Sequence, residues 1–271
     1  MKIAISNIAW EPAEDGIILP ILHEYKIRGM EVAPTKIFQD PSTYSSSVAL
    51  EYKKKWAESG IELIAMQSLL FGKPELQIFA SEENRTETLV YLTKIIEIAE
   101  LLGTRVLVFG SPKNRSIRDM EEKKARGIAL EFFRSLADIA HRHGVKVCIE
   151  PNPIQYQCDF ITNTSEGVAF VKEIDHPGLG FHLDLAACTF NKEDLEMAVT
   201  QSLPVLQHVH ISEPFLDAIG QESTNHSLFA DTLRKLEYQG WVSIEMKNNV
   251  APANEDAVRN ALHFVTEIYG T

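Results

Sequence analysis

Short runs of β-branched and aliphatic residues recur along the chain, separated by longer stretches with the helical period. The runs fall at about 2–8 (KIAISNI), 29–33 (GMEVA), 61–67 (IELIAMQ), 104–109 (TRVLVF), 145–150, 179–184, 206–211 and 241–246. Several are apolar at odd and even positions alike, the pattern of parallel strands covered on both faces. Between them, apolar residues return every three or four positions. This predicts helices at 82–102 (Leu89, Leu92, Ile95, Ile96, Ala99, Leu102) and 122–143 (Ile128, Leu130, Phe132, Phe133, Leu136, Ile139), and further ones at 165–174, 192–202, 227–239 and 255–268. Gly60, Gly103, Gly144 and Gly240 each stand between a helix and the next strand, where a left-handed residue ends the helix. Thr164 or Ser165 is the expected cap of the helix after strand five, and Asn191 of the one after strand six. No Ser/Gly/Pro-rich linker divides the chain. Eight strand–helix units over 1–271 predict one domain, a closed (β/α)8 TIM barrel. The doubly wound alternative needs a Gly-rich first turn, which SNIAWEP does not offer.

In such a barrel the chemistry sits where strands end and βα loops begin. Four consecutive units end in Glu150 (VKVCIE), Asp184 (GLGFHLD), His210 (LQHVHIS) and Glu245 (WVSIEM). They come from four different strands, so they meet only if the barrel closes. Three carboxylates and one imidazole are too rich in oxygen for a closed structural zinc site. They suit one divalent ion, Mn²⁺, Mg²⁺ or Co²⁺, with Zn²⁺ also possible. Three carboxylates gathered without a cation would repel one another, and a bound dication removes that penalty.

The other histidines are read from their positions. His208 and His182 share strand parity with His210 and Asp184, which makes them packed, hydrogen-bonded neighbours rather than ligands. His141 and His143 fall at a helix end and belong to the surface. His226 follows the polar stretch GQESTN and is placed at the rim, as a contact for substrate or a second metal. The loops are uneven. The one after strand three carries Phe71 and Phe79, which could cover a site. The one after strand four carries Lys113, Arg115 and Arg118, candidates for holding an anionic group of a substrate.

Composition then narrows the class. The chain is 45% apolar and 24% charged with a formal charge of -12, which argues against a nonspecific nucleic-acid binder. Cys148, Cys158 and Cys188 form no zinc or disulfide pattern, and their odd number fits a reducing compartment. MKIAISNIAW has no signal-peptide core and nothing approaches 18 consecutive apolar residues, so no membrane association and a cytoplasmic location are expected. Apolar helix faces leave a homodimer open.

Taken together, VKVCIEPNP, FHLDLAA, HVHISE and WVSIEM, with Gly29, Glu31, Asn152 and Gly240, resemble the xylose isomerase-like TIM-barrel superfamily of sugar phosphate isomerases and epimerases. The resemblance runs over essentially the whole chain. In its ketose 3-epimerases, residues matching Glu150, Asp184, His210 and Glu245 bind one divalent ion. The ion chelates a carbonyl and an adjacent hydroxyl, and the two glutamates remove and return a proton through a cis-enediolate. By resemblance, Glu150 and Glu245 are the acid/base pair, and Asp184 and His210 are structural ligands. Asn152, Tyr156, His226, Lys113 and Arg115 complete the substrate-binding candidates for a small carbohydrate or sugar phosphate.

The chain also departs from that pattern. The epimerases' histidine three residues after the strand-six aspartate is Ala187 here, followed by Cys188. Their glutamate six residues after Glu150 is Tyr156, and SEPFLDAIG lacks their arginine. An isomerase or epimerase of a small sugar or sugar derivative remains the leading expectation. The alternatives are a dehydratase or lyase with the same metal and a sugar-binding barrel that has lost turnover. The superfamily's DNA-repair nucleases use extra histidines that this chain lacks.

Overall fold

The computed structural model describes residues 1–221 and 223–270. Eight parallel strands, β1 (Lys2–Ser6), β2 (Gly29–Val32), β3 (Glu62–Met66), β4 (Val106–Phe109), β5 (Lys146–Ile149), β6 (Leu179–Asp184), β7 (Leu206–Ser212) and β8 (Trp241–Glu245), pair in chain order. The barrel closes where β1 pairs with β8, with Lys2 opposite Trp241 and Ile5 opposite Ile244. The helices are α1 (Asp15–Glu24), α2 (Ser46–Glu58), α3 (Glu82–Leu102), α4 (Glu122–Arg142), α5 (Thr164–Ile174), α6 (Leu185–Asn191), α7 (Leu195–Ser202), α8 (His226–Lys235) and α9 (Asn254–Tyr269). The predicted (β/α)8 architecture is the one observed. Among the described residues, no helix is long and apolar enough to cross a membrane.

Most predicted boundaries stand and a few move. Gly60, Gly103 and Gly144 adopt left-handed backbone (φ 72°, 82° and 66°). The amides of Gly103 and Thr104 both return to the Ala99 carbonyl, which closes α3. Gly240 does not share this role. Its φ is not positive, and the left-handed residue after α8 is Glu237 (φ 56°). Gly240 is needed instead for space, because a Cβ there would strike the Tyr238 ring. The cap of α5 is Asn163, whose side chain accepts from the Glu166 amide, rather than Thr164 or Ser165.

After β6 the single predicted helix is two. Asp184 caps α6, Lys192 ends it in left-handed backbone (φ 53°), and Asp194 rather than Asn191 caps α7. An aspartate at a strand end is also a strong N-cap, so the helix starts at once and must break before it can turn back along the barrel.

The apolar core lies between the strands and the helices. There Phe133 meets Phe109, Phe132 and Phe170 edge-on, with ring centroids 5.2–5.5 Å apart. Inside the barrel the filling is different. At the lower end Trp241 presses its ring over Gly29, beside the small Ala4 and Ala65. Above it lies a layer of buried polar groups: Ser6, Glu31, Gln67, His182, His208, His210, Ser212 and Ser243. The β2–β3 and β6–β7 ladders shift register between Met30 and Glu31 and between Phe181 and His182, where that layer begins.

Gly178, just before β6, packs so closely on α4 that a Cβ would collide with the Ala137 carbonyl oxygen, a backbone atom that cannot swing aside. Gly178→Ala should therefore destabilise the barrel by roughly 1–3 kcal/mol. The check is a fall in the urea midpoint at unchanged m-value, and an unshifted midpoint would refute the contact.

Candidate metal centre

Glu150 directly follows β5, with its amide bonded to the Phe109 carbonyl at 3.1 Å. Asp184 ends β6, His210 is its direct partner on β7, and Glu245 ends β8 opposite Ser212. Closure of the barrel thus brings the four predicted ligands together. One donor atom from each lies within 4.8 Å of all the others.

Each side chain is aimed by a neighbour. Oδ1 of Asp184 accepts from the Ala187 amide at 2.6 Å, and Oδ2 accepts from the Ser212 hydroxyl. Ser212 in turn accepts from the Ala186 amide at 3.0 Å. Nε2 of His210 meets Glu31 Oε2 at 2.9 Å, so the ring turns Nδ1 toward Glu245 Oε2, 3.1 Å away. Among the described residues that Nδ1 meets Glu245 only at ion-pair distance and has no partner of hydrogen-bond geometry. A buried carboxylate behind a ligating imidazole fixes its tautomer and strengthens it as a donor. Glu150 fits because position 110 is glycine: a Cβ on Gly110 would collide with Glu150 Oε2.

Electrostatically the cluster is unbalanced. Burial first, and then the Glu245 and Asp184 carboxylates, push Glu150 from an ordinary 4.5 up to about 8. Burial and Glu245 push Asp184 from 3.8 up to about 6. Burial disfavours protonated His210, but the flanking Glu31 and Glu245 carboxylates outweigh it and raise its pKa well above the ordinary range. Burial likewise opposes ionised Glu31, yet His210 and His208 hold it well below the usual carboxylate range. A donor set that resists its own ionisation in this way fits a divalent cation, which relieves all three carboxylates at once.

The remaining predicted residues divide. Asn152 and Tyr156 line the cavity above the four ligands, a space of about 200 Å³ that also reaches Gln67, Gly110 and Leu216. The Tyr156 hydroxyl accepts from the Phe215 amide at 2.9 Å, which fastens the loop after β5 to the loop after β7. Lys113 is exposed and does not line this cavity. Arg115 is fully buried behind Glu150, donating from Nη2 to the Glu150 carbonyl at 2.6 Å, so it steadies the ligand strand rather than facing the cavity.

His226 is also buried. It bonds Tyr269 Oη at 2.9 Å and Glu213 Oε1 at 3.0 Å, and it borders a separate cavity beside Phe264. His182, expected to be hydrogen-bonded, has no partner at either ring nitrogen among the described residues, and burial keeps its pKa well below the ordinary value. Of the two aromatics proposed to cover the site, Phe79 packs into the core on Phe160, and only Phe71 stays at the surface.

Sequence reasoning gave no role to Glu31, Gly110 or Ser212. A lone acid inside the apolar run GMEVA was the available signal for Glu31. The other two act through space left or a hydroxyl offered, which patterning does not reveal.

A closed parallel barrel with a ligand cluster at the C-terminal ends of its strands defines the class. Residues 19–268 match the family model for the xylose isomerase-like TIM barrel, and the chain belongs to that family. A probable ketose 3-epimerase from Synechocystis sp. is 25% identical over 239 residues, 82% of each chain. Two solved structures superpose over nearly their whole length. The first is a 3-keto-D-glucoside 4-epimerase from E. coli (TM-score 0.82, 21% identity, 98% of this chain and 99% of that one). The second is a D-psicose 3-epimerase with D-tagatose from Clostridium cellulolyticum H10 (0.81, 18%, 100% of both). Family and relatives together support an enzyme of the sugar isomerase and epimerase kind.

Two outcomes follow from the geometry. Without a cation the protein should lose stability as pH rises from about 5 to about 8. Glu150 and Asp184 have folded values above their ordinary ones, so the folded state holds more protons in that window and loses its advantage as they leave. Thermal midpoints in EDTA should fall across the window, and added Mn²⁺ should flatten the profile; parallel curves would refute the reading. Separately, Gly110→Ala should displace the Glu150 carboxylate and weaken Mn²⁺ binding by roughly 10- to 100-fold, the range seen when a ligand is mis-set. Calorimetric titration of the folded variant checks it, and wild-type affinity would refute it.

Proposed function

We propose that the protein is a divalent-metal-dependent isomerase or epimerase of a small sugar or sugar derivative, working by proton transfer at a carbon next to a carbonyl. The observation that carries this is the meeting of two glutamates, Glu150 and Glu245, with Asp184 in the wall of one cavity, and with the buried His210 beside all three. A divalent ion held by these four would supply Lewis-acid polarisation of a carbonyl and its neighbouring hydroxyl.

The chain's own residues do the rest. On this reading Glu150 and Glu245, both lining the cavity, take and return the proton. Asp184 is tied by the Ala187 amide and the Ser212 hydroxyl, and His210 by Glu31, so these two hold position rather than move protons. Asn152 and Tyr156 lie in the cavity wall, where they can meet substrate hydroxyls.

The 3-epimerase and 4-epimerase named above act beside a carbonyl, in line with this reading. A sugar phosphate is less favoured than a neutral sugar, because neither Lys113 nor Arg115 reaches the cavity.

The test is solvent exchange. The Mn²⁺-loaded protein, incubated with candidate keto-sugars in deuterated water, should place deuterium on the carbon beside the carbonyl and leave the oxygen count unchanged. Glu150→Gln and Glu245→Gln should each lower turnover by roughly 10²- to 10⁴-fold, the usual contribution of a positioned acid or base. A substantially active Glu245→Gln protein would defeat the two-carboxylate mechanism, and loss of water from the product would move the enzyme to the dehydratase class.

A further inference from the structure

The Phe215 amide does more to Tyr156 than fasten one loop to another. A phenolic proton lies near the ring plane, on one flank of the oxygen, and the opposite flank is where that oxygen best accepts. The Phe215 N–H donates into one flank at 2.9 Å. The tyrosine's own proton is thereby turned to the other flank, where it donates to no protein atom among the described residues.

The ring is held as well. Phe190 and Phe215 meet it edge-on, with centroids 5.3 and 5.8 Å away, and this packing resists a swing about its Cα–Cβ bond. The amide that orients the proton is itself placed against a backbone preference. Phe215 (φ 61°) and Leu216 (φ 56°) are consecutive non-glycine residues in left-handed backbone. Such conformations persist where the surroundings over-determine them. Lys247, beyond the end of β8, does this by donating its amide to the Leu216 carbonyl at 3.0 Å and its Nζ to the Phe215 carbonyl at 3.2 Å. The direction of the Phe215 N–H is thus fixed from two sides.

The hydroxyl belongs to the cavity over the ion site. Tyr156 lines it together with Glu150, Asp184 and Glu245. Burial first, and then the Asp184 carboxylate, raise the Tyr156 pKa well above its ordinary value, and Glu245 and Glu150 add to the rise. The proton therefore stays on the oxygen, and the three carboxylates lie close enough to act on it.

This cavity has use for a donor. No Lys or Arg side chain is among its lining residues. When a carboxylate takes a proton from the carbon beside a carbonyl, the electron pair of the C–H bond moves toward the carbonyl oxygen. Negative charge then develops beside a cluster that is already acidic. A donor fixed beforehand at that place acts most strongly at that moment.

We infer that Tyr156 is a catalytic hydrogen-bond donor: its O–H, oriented by the Phe215 amide, donates to the substrate oxygen that gains charge as the neighbouring C–H bond breaks. This rests on the proton-transfer reading above and adds a residue to it. Tyr156 keeps its own proton throughout. The proton from carbon passes to one glutamate and a proton returns to the same carbon, so no atom is gained or lost.

The experiment changes the acidity of that one hydroxyl. Tyr156 is replaced by 3-fluorotyrosine and by 3,5-difluorotyrosine, which donate more strongly and accept more weakly than tyrosine, and Tyr156→Phe removes the hydroxyl. Each Mn²⁺-loaded protein is titrated calorimetrically with glycolohydroxamate, a planar anion shaped like an enediolate. Each is also assayed for deuterium exchange with the keto-sugar that the wild-type protein turns over. Tyr156→Phe should weaken hydroxamate binding by roughly 10- to 100-fold, the range for a hydrogen bond to a charged group. It should lower kcat at least roughly tenfold with little change in KM, as expected for a bond that matters most in the transition state. Fluorination should tighten hydroxamate binding by roughly two- to fivefold.

A tyrosine that serves only as an anchor for the Phe215 amide gives the opposite sign, because fluorination weakens the oxygen as an acceptor. Hydroxamate affinity that falls or stays level on fluorination therefore overturns the inference, as does wild-type kcat in Tyr156→Phe. Neither result touches proton transfer by Glu150 and Glu245. If the wild-type protein exchanges with no keto-sugar, the proton-transfer reading fails and the titrations still decide: tighter binding on fluorination keeps the donor, and level or weaker binding removes it.

Discussion

Everything at the mouth of this barrel depends on holding three carboxylates together out of water. Glu150, Asp184 and Glu245 bring donor atoms within 4.8 Å of one another, and two like charges at that distance repel by roughly 3 kcal/mol or more even in a moderately polar protein interior. A fold tolerates such a cost only where it is set against other charges. On one side His210, held between Glu31 and Glu245, contributes positive charge. On another, Arg115 is buried behind Glu150 with no acidic partner of its own among the described residues, and its charge opposes the rise in the Glu150 pKa. These compensations are incomplete, because Glu150 and Asp184 still resist ionising. The arrangement is thus one that a bound cation would stabilise.

Rigidity is the other half of that constraint. The four candidate ligands sit at strand ends, and three of them are aimed by groups from other strands or loops: Ser212 of the adjacent β7 for Asp184, Glu31 of β2 across the barrel for His210, and the absence of a side chain at Gly110 for Glu150. Glu31 crosses the barrel interior to reach His210, which is why the upper interior is polar instead of being packed with branched aliphatics. The register shifts beside Glu31 and His182 belong to the same accommodation, since they let polar side chains enter a layer that a regular ladder would space for apolar ones. His182 remains the least satisfied member, buried without a partner at either nitrogen.

How much of this was legible in the sequence follows from what kind of information each feature carries. The strands and the cluster of candidate ligands at their ends were legible because burial on both faces and a polar residue at the end of an apolar run are local patterns. Gly103 and Gly144 were legible because a left-handed helix end needs glycine more than anything else does. Gly240 has the same local signature and a different cause, a ring packed against it, so the pattern could not separate the two.

Arg115 and His226 were placed at the substrate by their loops, yet both turned inward. A cation can be drawn under a carbonyl next to a carboxylate cluster, and a histidine can be drawn between Glu213 and Tyr269, by partners far away in the chain. Asp184 was read as a ligand but not as a helix cap. Its second role moved the helix boundaries after β6.

The same division explains why the ion site and the substrate site diverge from the family in different degrees. The ligands are over-determined: each has a partner, a register and a burial that any substitution disturbs. The positions where ketose 3-epimerases carry their sugar contacts stand under no such control here. Ala187 lends only its backbone amide to Asp184, and the Tyr156 oxygen accepts from the Phe215 amide. On the reading proposed above, sugar contacts fall to the loops and not to the strand ends. Tyr156 and Phe215 from two of them pack edge to face with each other and with Phe190 of α6, with ring centroids 5.1–5.8 Å apart. Lys247 then ties the Phe215–Leu216 turn to the end of β8. A rim fastened in that way holds a cavity open beside the ion site without any contribution from the strands, so the reaction can stay fixed while the molecule brought to it changes.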